Sequence, residues 1–164
     1  MAIEGVKQPD ILPIDETLRL RRYDGDCAFA LAWYQDAETL MLVDGRPDPY
    51  DMDKLCRMYQ YLERQGELYF IELWQDGSFV PIGDVTFWQE DMPIVIGRRE
   101  LRGRKIGSRV VGALLQRAAV LGYDEVWVRE IYDFNEGSKR LFEGEGFRPV
   151  QRTKKGWRYR RCIK

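Results

Sequence analysis

The segment Arg102-Gly103-Arg104-Lys105-Ile106-Gly107-Ser108 follows the apolar run Ile94-Val95-Ile96 and leads into a stretch of helical periodicity. A loop so placed turns the free backbone N–H groups of a helix start toward an anion, and the positive end of the helix dipole adds to the attraction. Gly103 and Gly107 let the backbone approach a ligand, while Arg102, Arg104 and Lys105 set cations around it, a composition suited to a diphosphate. The same residues would also serve as a plain helix start with solvated arginines. A second segment, residues 135–147, follows the strand-like Glu125-Val126-Trp127-Val128 and has the form N-x-x-S-x-x-x-F-x-x-x-G-F, through Asn135, Ser138, Phe142, Gly146 and Phe147.

Together these segments resemble the GNAT superfamily of N-acetyltransferases, whose first motif reads R/Q-x-x-G-x-G/A and whose second reads N-x-x-A/S-x-x-x-Y-x-x-x-G-F. The resemblance covers residues 92–150, and its motif placement is most like that of ribosomal-protein N-terminal acetyltransferases. It implies a mixed α/β (α+β) fold, a mostly antiparallel sheet with one parallel strand pair that splays apart to admit an acyl-pantetheine arm. It also implies acetyl-CoA as co-substrate, bound by the loop from Arg102 to Ser108 with Asn135, Ser138 and Phe142 near the pantetheine. Val95, Ile96 and Gly97 would present backbone groups to the pantetheine amides and the thioester carbonyl, an oxyanion-type contribution that needs no side chain. Two positions depart from the pattern: Lys105 stands at the first loop glycine, and Phe142 replaces the tyrosine that often acts as general acid.

Acetyl transfer to an amine needs the neutral amine, yet a lysine-like amine titrates near ~10.4, so a base or a water relay must take its proton near neutral pH. With no histidine in the chain, that base is a carboxylate, Tyr, Lys, Cys or water. Strand alternation puts Val126, Val128, Glu130 and Tyr132 on one face, which would carry the Glu130 carboxylate inward and raise its pKa. The resemblance adds that some relatives place a catalytic Glu five residues before the motif Asn, where Glu130 stands before Asn135. The alternative for Glu130 is a strand-end glutamate paired with Arg129 or another base. Asp91 and Glu90 are rivals by the family pattern of a base at the start of the strand preceding the loop, or else form a solvated turn before Pro93. Tyr132 is the candidate to protonate the departing thiolate in place of Phe142; alternatively it is a half-buried strand tyrosine. A thiolate whose conjugate acid titrates near ~8.5 leaves with little help. Asn135 also has a purely structural reading as a helix N-cap. The aromatics Trp33, Tyr34, Trp74 and Trp88 either line an acceptor pocket or pack a core.

At 164 residues and 45% hydrophobic content, the chain has the size of one domain with a real core. The expected organisation is a loose N-terminal arm over residues 1–14 and a single domain over 15–164. No apolar run reaches the roughly 18–20 residues that span a bilayer, and no basic-then-apolar leader is present, so the expected location is the cytoplasm, with no membrane partner. Cys27, Cys56 and Cys162 are scattered and odd in number, which argues against a disulfide framework or a metal site. The net charge of −1 hides a segregation: residues 1–91 carry 8 Lys+Arg against 19 Asp+Glu, and residues 92–164 carry 18 against 8. Either the basic half meets CoA phosphates and the acidic half attracts a cationic amine acceptor, or the chain simply has solvated faces of opposite sign.

The elements that must hold these residues can be read by periodicity. Residues 17–23 alternate as a strand; residues 28–35 are expected as a helix capped by Asp26; Leu55, Met58, Tyr59 and Leu62 mark one face of a helix over 51–64. Residues 67–74 and 79–88 read as strands joined at Asp76-Gly77, and 92–98 as the next. Val110, Val111, Leu114, Leu115 and Ala118 mark the helix after the loop, and residues 147–152 and 157–163 form a terminal hairpin. Three functions compete: direct acetyl transfer to a primary amine of a small molecule or a protein N-terminus, a non-catalytic acyl-CoA-binding module, and nucleic-acid binding by the eight Lys+Arg of residues 148–164 interleaved with Trp157 and Tyr159. The last is disfavoured because the hairpin belongs to the fold and the acidic half repels phosphates. The sequence leaves open whether the chain works as a monomer or a homodimer.

Overall fold

The structure, a computed structural model, describes residues 2–163; positions 1 and 164 of the expected arm and domain lie outside the described residues. The chain divides into two compact units, one built from residues up to 86 together with 94–100, the other from 87–93 together with 101 onward.

Unit one is organised on a five-stranded sheet in the order β1-β2-β3-β4-β5, with β1 at Ile11–Pro13, β2 at Leu18–Arg22, β3 at Glu67–Gln75, β4 at Ser78–Phe87 and β5 at Ile94–Ile96. Pairing is antiparallel for β1 with β2, β2 with β3, and β4 with β5. Residues 11–13, expected in a loose arm, instead form an edge strand, where Pro13 is tolerated because an edge does not require every N–H. Asp76 and Gly77 both take left-handed φ, 49° and 87°, as a tight hairpin between β3 and β4 demands. The strand expected over 92–98 shrinks to three residues.

Three helical segments accompany this sheet. Ala28–Gln35 is a 3-10 segment with irregular backbone at Tyr34, and Asp26 does not cap it; Cys27 holds the N-cap position without a side-chain bond. Packing of Ala30, Trp33 and Tyr34 into the core overrides the regular helix expected there. Helix α1, Ala37–Asp44, was not foreseen by periodicity; Asp36 caps it by accepting from Thr39 N at 3.0 Å, and Gly45 ends it at φ 71°. Helix α2, Met52–Gln65, is capped by Asp51 on Lys54 N at 2.8 Å and buries Leu55 and Tyr59. These segments pack with one sheet face into a core that includes Tyr23, Trp33, Tyr34, Leu55, Tyr59, Leu68, Phe70 and Val95.

Unit two has a three-stranded sheet in the order β6-β8-β7, with β6 at Glu125–Tyr132, β7 at Arg148–Arg152 and β8 at Gly156–Cys162. Helix α3, Ile106–Val120, buries Ile106, Val110, Val111, Leu114 and Ala118, and helix α4, Glu136–Gly144, buries Phe142. The two helices meet closely: a Cβ at Gly107 would lie 3.1 Å from the Leu141 side chain.

Gly97 is the tightest point between β5 and the aromatic core of unit one. A Cβ there would fall 2.2 Å from Cγ of Trp33, and its N–H already donates to Ile82 O at 2.8 Å. Gly97→Ala therefore forces the indole out of its packing, at a cost of about 2 kcal/mol, and should lower Tm by roughly 4–8 °C. A melting curve of the ligand-free variant checks this; an unchanged Tm contradicts the assigned packing.

Candidate functional site

The start of α3 differs electrically from the other helix starts. Helices α1, α2 and α4 each have an Asp or Asn side chain accepting from a first-turn N–H and an acidic residue in the first turn. Helix α3 has no side-chain cap and no acid in its first turn, and the exposed loop before it carries Arg104 and Lys105, with Arg102 half-buried behind them. Its first-turn N–H groups thus have no side-chain cap and no acid within that turn, the arrangement an anionic ligand completes. Ile106 is buried into unit two, while Gly107 and Ser108 remain partly exposed.

Lys105 occupies a backbone position made for glycine. Its φ is 62° and its ψ is 18°, left-handed, and it sits at the N-cap, one residue before the helix. Gly103 has φ 75°, with nothing near where a Cβ would lie. Gly107 differs: its missing side chain makes room for Leu141 of α4, so its packing role stands beside any approach to a ligand.

Asn135 is the N-cap of α4, accepting from Ser138 N at 3.1 Å, so the structural reading of this pair is realised. Phe142 is 2% exposed and meets Phe147 edge-on at a ring separation of 5.1 Å, which makes it an anchor of the unit-two core.

Glu130 requires a correction. The register of β6 against β8 shifts between Val128 and Ile131, so Val126, Val128 and Ile131 are buried while Arg129 and Glu130 are exposed. One additional residue in the strand reverses the alternation that was to bring Glu130 inward. Its Oε2 instead accepts from Thr153 Oγ1 at 2.6 Å and from Lys155 N at 3.2 Å, tying down the β7–β8 turn. Tyr132 is half-buried and stacks on Phe134 at 5.3 Å, with the Lys155 ammonium 6.0 Å from its ring.

The turn expected before Pro93 is present at Gln89-Glu90, but Asp91 closes it half-buried rather than solvated: it faces Trp88 in an isolated bridge, and its Oδ1 accepts from Met92 N at 2.9 Å and from Arg129 N at 3.0 Å. Burial raises its carboxyl, against the lowering effect of those two amide bonds and the Arg129 charge. Gln89 O likewise accepts from Trp127 N at 2.9 Å, so this turn and the Asp91 carboxylate take two β6 amides, those of Trp127 and Arg129. Glu90 is exposed and pairs with Arg158 at 3.1 Å.

Of the four aromatics, Trp33 and Tyr34 are core residues of unit one, Trp74 is 47% exposed against Phe79, and Trp88 belongs to unit two beneath the Arg129 guanidinium. The basic C-terminal hairpin is internally engaged: Arg152 pairs with Asp133, and Arg158 lies 3.7 Å above the Trp127 ring. Among the described residues no helix is long and apolar enough to cross a membrane.

Sequence reasoning missed Asp84. It lies on β4, 3% exposed, and its Oδ2 accepts from Tyr34 OH at 2.7 Å and from Tyr59 OH at 2.8 Å. Burial lifts its carboxyl to about 6, with the two phenol hydrogen bonds pulling in the opposite direction. Its strand partner is Val95, and the preceding Gly83 is required because a Cβ there would lie 2.1 Å from Val95 O. The local pattern gave no signal, since Asp84 and Thr86 alternate with Val85 and Phe87 as a solvated strand face would.

Comparison with known proteins agrees with this architecture. The chain belongs to the GNAT acetyltransferase family: the family profile described as an acetyltransferase (GNAT) domain matches residues 17–148. No curated protein matches the sequence. Among solved structures, a domain from Methanocaldococcus jannaschii is 20% identical, with a TM-score of 0.77 over 90% of this chain and 99% of that one. An acetyltransferase from Salmonella typhimurium that modifies the N-terminal serine of ribosomal protein L7/L12 is 16% identical, with a TM-score of 0.72 over 94% and 99% of the two chains. An aminoglycoside acetyltransferase, AAC(6')-Ib, in complex with coenzyme A is 14% identical, with a TM-score of 0.71 over 88% and 94%. These likenesses show the mixed α/β GNAT fold.

Two measurements follow. Relief of the left-handed strain in Lys105→Gly, about 1 kcal/mol or more, exceeds the entropy returned to the unfolded chain by roughly half a kcal/mol. The ligand-free variant should therefore melt about 1–2 °C higher, and a lower Tm would show that the lysine side chain has a stabilising partner. For Asp84, the folded state holds its proton more tightly than the unfolded chain, so its contribution to stability falls as pH rises from the ordinary carboxylate value of 3.8 through about 6. Urea denaturation of wild type and Asp84→Asn should show the difference shifting toward the variant by on the order of 3 kcal/mol between pH 4 and pH 7; a flat difference contradicts a raised carboxyl.

Proposed function

We propose that this GNAT enzyme transfers an acetyl group directly from acetyl-CoA to a primary amine carried by a small molecule or by a polypeptide N-terminus. The observation that carries the reading is the start of α3, with first-turn N–H groups that no side chain caps, no acidic neighbour in that turn, and Arg102, Arg104 and Lys105 in the loop before it. That set fits the diphosphate of CoA. Following the family pattern, the acyl arm is assigned to the main chain at Val95, Ile96 and Gly97; the Gly97 N–H already donates to Ile82 O, so its part falls to the carbonyl. Coenzyme A bound to a structural neighbour supports the co-substrate, and the two named neighbours act on amines of different kinds, an aminoglycoside and a protein N-terminal serine. The acidic balance of residues 1–91 favours a cationic acceptor.

The bound co-substrate supplies an activated thioester; the protein's own part is to orient it and to manage one proton. Loss of the tyrosine hydroxyl at position 142 leaves thiolate departure without that donor, which a leaving group titrating near ~8.5 tolerates. The same substitution is what favours the second reading, a module that binds acyl-CoA without turnover, because Phe142 is wholly engaged in packing.

Acetyl-CoA at 100 times its Kd should add about 2.7 kcal/mol to unfolding stability. Lys105→Ala should weaken CoA binding by about 1–3 kcal/mol if the ammonium contacts the diphosphate. Thermal shift with CoA, followed by thiol release against a panel of amines, tests both readings. No stabilisation at millimolar CoA removes the assignment, and stabilisation with no thiol release across the panel selects the binding module.

A further inference from the structure

The hydrogen bonding of Asp84 is lopsided. Tyr34 and Tyr59 both donate to Oδ2, and among the described residues no hydrogen bond reaches Oδ1. Two residues further along, the Thr86 hydroxyl is buried without a hydrogen-bond partner. Strand alternation sets it on the same face of β4, roughly 7 Å away along the strand. One strand face thus carries a carboxylate oxygen and a hydroxyl oxygen, both with unused capacity to accept, in a part of the core where buried polar groups are otherwise satisfied.

Register brings this face to β5. Asp84 stands opposite Val95, so the two side chains project the same way with their Cβ atoms roughly 5 Å apart. The surroundings are aromatic: Tyr34 packs with Tyr50 at 5.1 Å and with Tyr59 at 6.3 Å, and Tyr59 with Phe70 at 5.5 Å. Ring faces and a carboxylate together suit an organic cation.

We propose that Asp84 Oδ1 receives the ammonium group of the acceptor, a primary alkylammonium, and takes its proton; this rests on the acetyl-transfer reading above. The N–H bond of the ammonium breaks, the proton passes to Oδ1, and the freed nitrogen lone pair forms the C–N bond at the thioester carbon. The C–S bond then breaks with its electron pair on sulfur. Sulfur takes the second nitrogen proton by way of solvent, and Asp84 returns its own proton to solvent, so the products are an amide, a thiol and one proton. The titratable groups facing the carboxylate are the phenols of Tyr34 and Tyr59, with Tyr50 next to Tyr34. Burial pushes all three upward, with the Asp84 charge adding to it at Tyr34 and Tyr59 and the Asp44 carboxylate, which accepts from Tyr50 OH at 2.9 Å, adding to it at Tyr50, so they stay protonated and keep donating. A carboxyl near 6 is ionised at neutral pH yet takes a proton more readily than an ordinary aspartate.

The experiment is a pH profile of kcat/KM for acetyl-CoA with spermidine and with a peptide bearing a free N-terminus. Wild type should lose activity below an acidic limb near 6. Asp84→Asn should lower kcat about 10²–10⁴-fold at pH 7 and abolish that limb. Tyr34→Phe and Tyr59→Phe keep the rings and remove one hydroxyl each, so the limb should move to higher pH, a shift that a merely structural tyrosine would not cause. If Asp84→Asn does not fold, an unmoved limb in both tyrosine variants overturns the proposal. So does a limb that persists in folded Asp84→Asn, or one that vanishes in Glu130→Gln instead. Binding is read separately, as the Tm shift that either probe gives the CoA-loaded protein. A shift in wild type that Asp84→Asn lacks, without turnover, keeps the ammonium site and removes the transfer step. Turnover with an Asp84-independent profile removes Asp84 and keeps the transfer reading, and neither shift nor turnover with either probe removes both.

Discussion

Two phenol protons meet on one oxygen, Asp84 Oδ2, and that meeting ties three elements of unit one together. Tyr34 comes from the irregular end of a 3-10 segment, Tyr59 from the middle of α2, and the carboxylate from β4, so a single charged atom fixes two helical segments against the sheet. Hydrogen bonds to a charged group of this kind stabilise by about 1.5–3 kcal/mol each, and leaving such a group unmatched costs several times that of a surface charge. Burying the Tyr34 and Tyr59 rings in this core requires an acceptor for each hydroxyl, and Asp84 supplies both.

In unit two the acids are engaged with backbone and with the basic hairpin: Asp91 takes the amide of Arg129 at the bulge, Glu130 ties the turn before β8, and Asp133 and Glu90 pair with Arg152 and Arg158. None of these acids is placed in the first turn of α3, whose N–H groups no side chain caps. Packing of Leu141 onto Gly107 and of Phe142 onto Phe147 then fixes α4 against the helix that carries the loop.

The features legible in the sequence were those written as local punctuation. The Gly and Arg residues before α3, the Asn135 cap, the Asp76-Gly77 hairpin and the stripe of α2 each depend on residues within a few positions of one another, and each stands where periodicity placed it. What was not legible depends on partners distant in sequence. The bulge in β6 has no compositional mark, since Arg129 and Glu130 would suit an even strand equally well, and it alone decides that Ile131 goes inward in place of Glu130. Asp84 was hidden for a related reason: Gly-Asp-Val-Thr-Phe reads as a strand with a wet face at Asp84 and Thr86, but both faces of β4 are covered over residues 82–87, so alternation carries no information there. Helix α1 was missed because eight residues are too few to establish a period.

The absence of a side chain at Gly97 links two positions far apart in the chain. The indole of Trp33 lies over that glycine within 2.5 Å of where a Cβ would sit, so the size of residue 33 and the size of residue 97 are one shared quantity of volume. A lineage of this protein cannot enlarge either position alone. Drift at the two should therefore be reciprocal, a smaller ring partner accompanying any gain at 97, which makes the pair a reporter of kinship that can be read in sequences with no structure in hand.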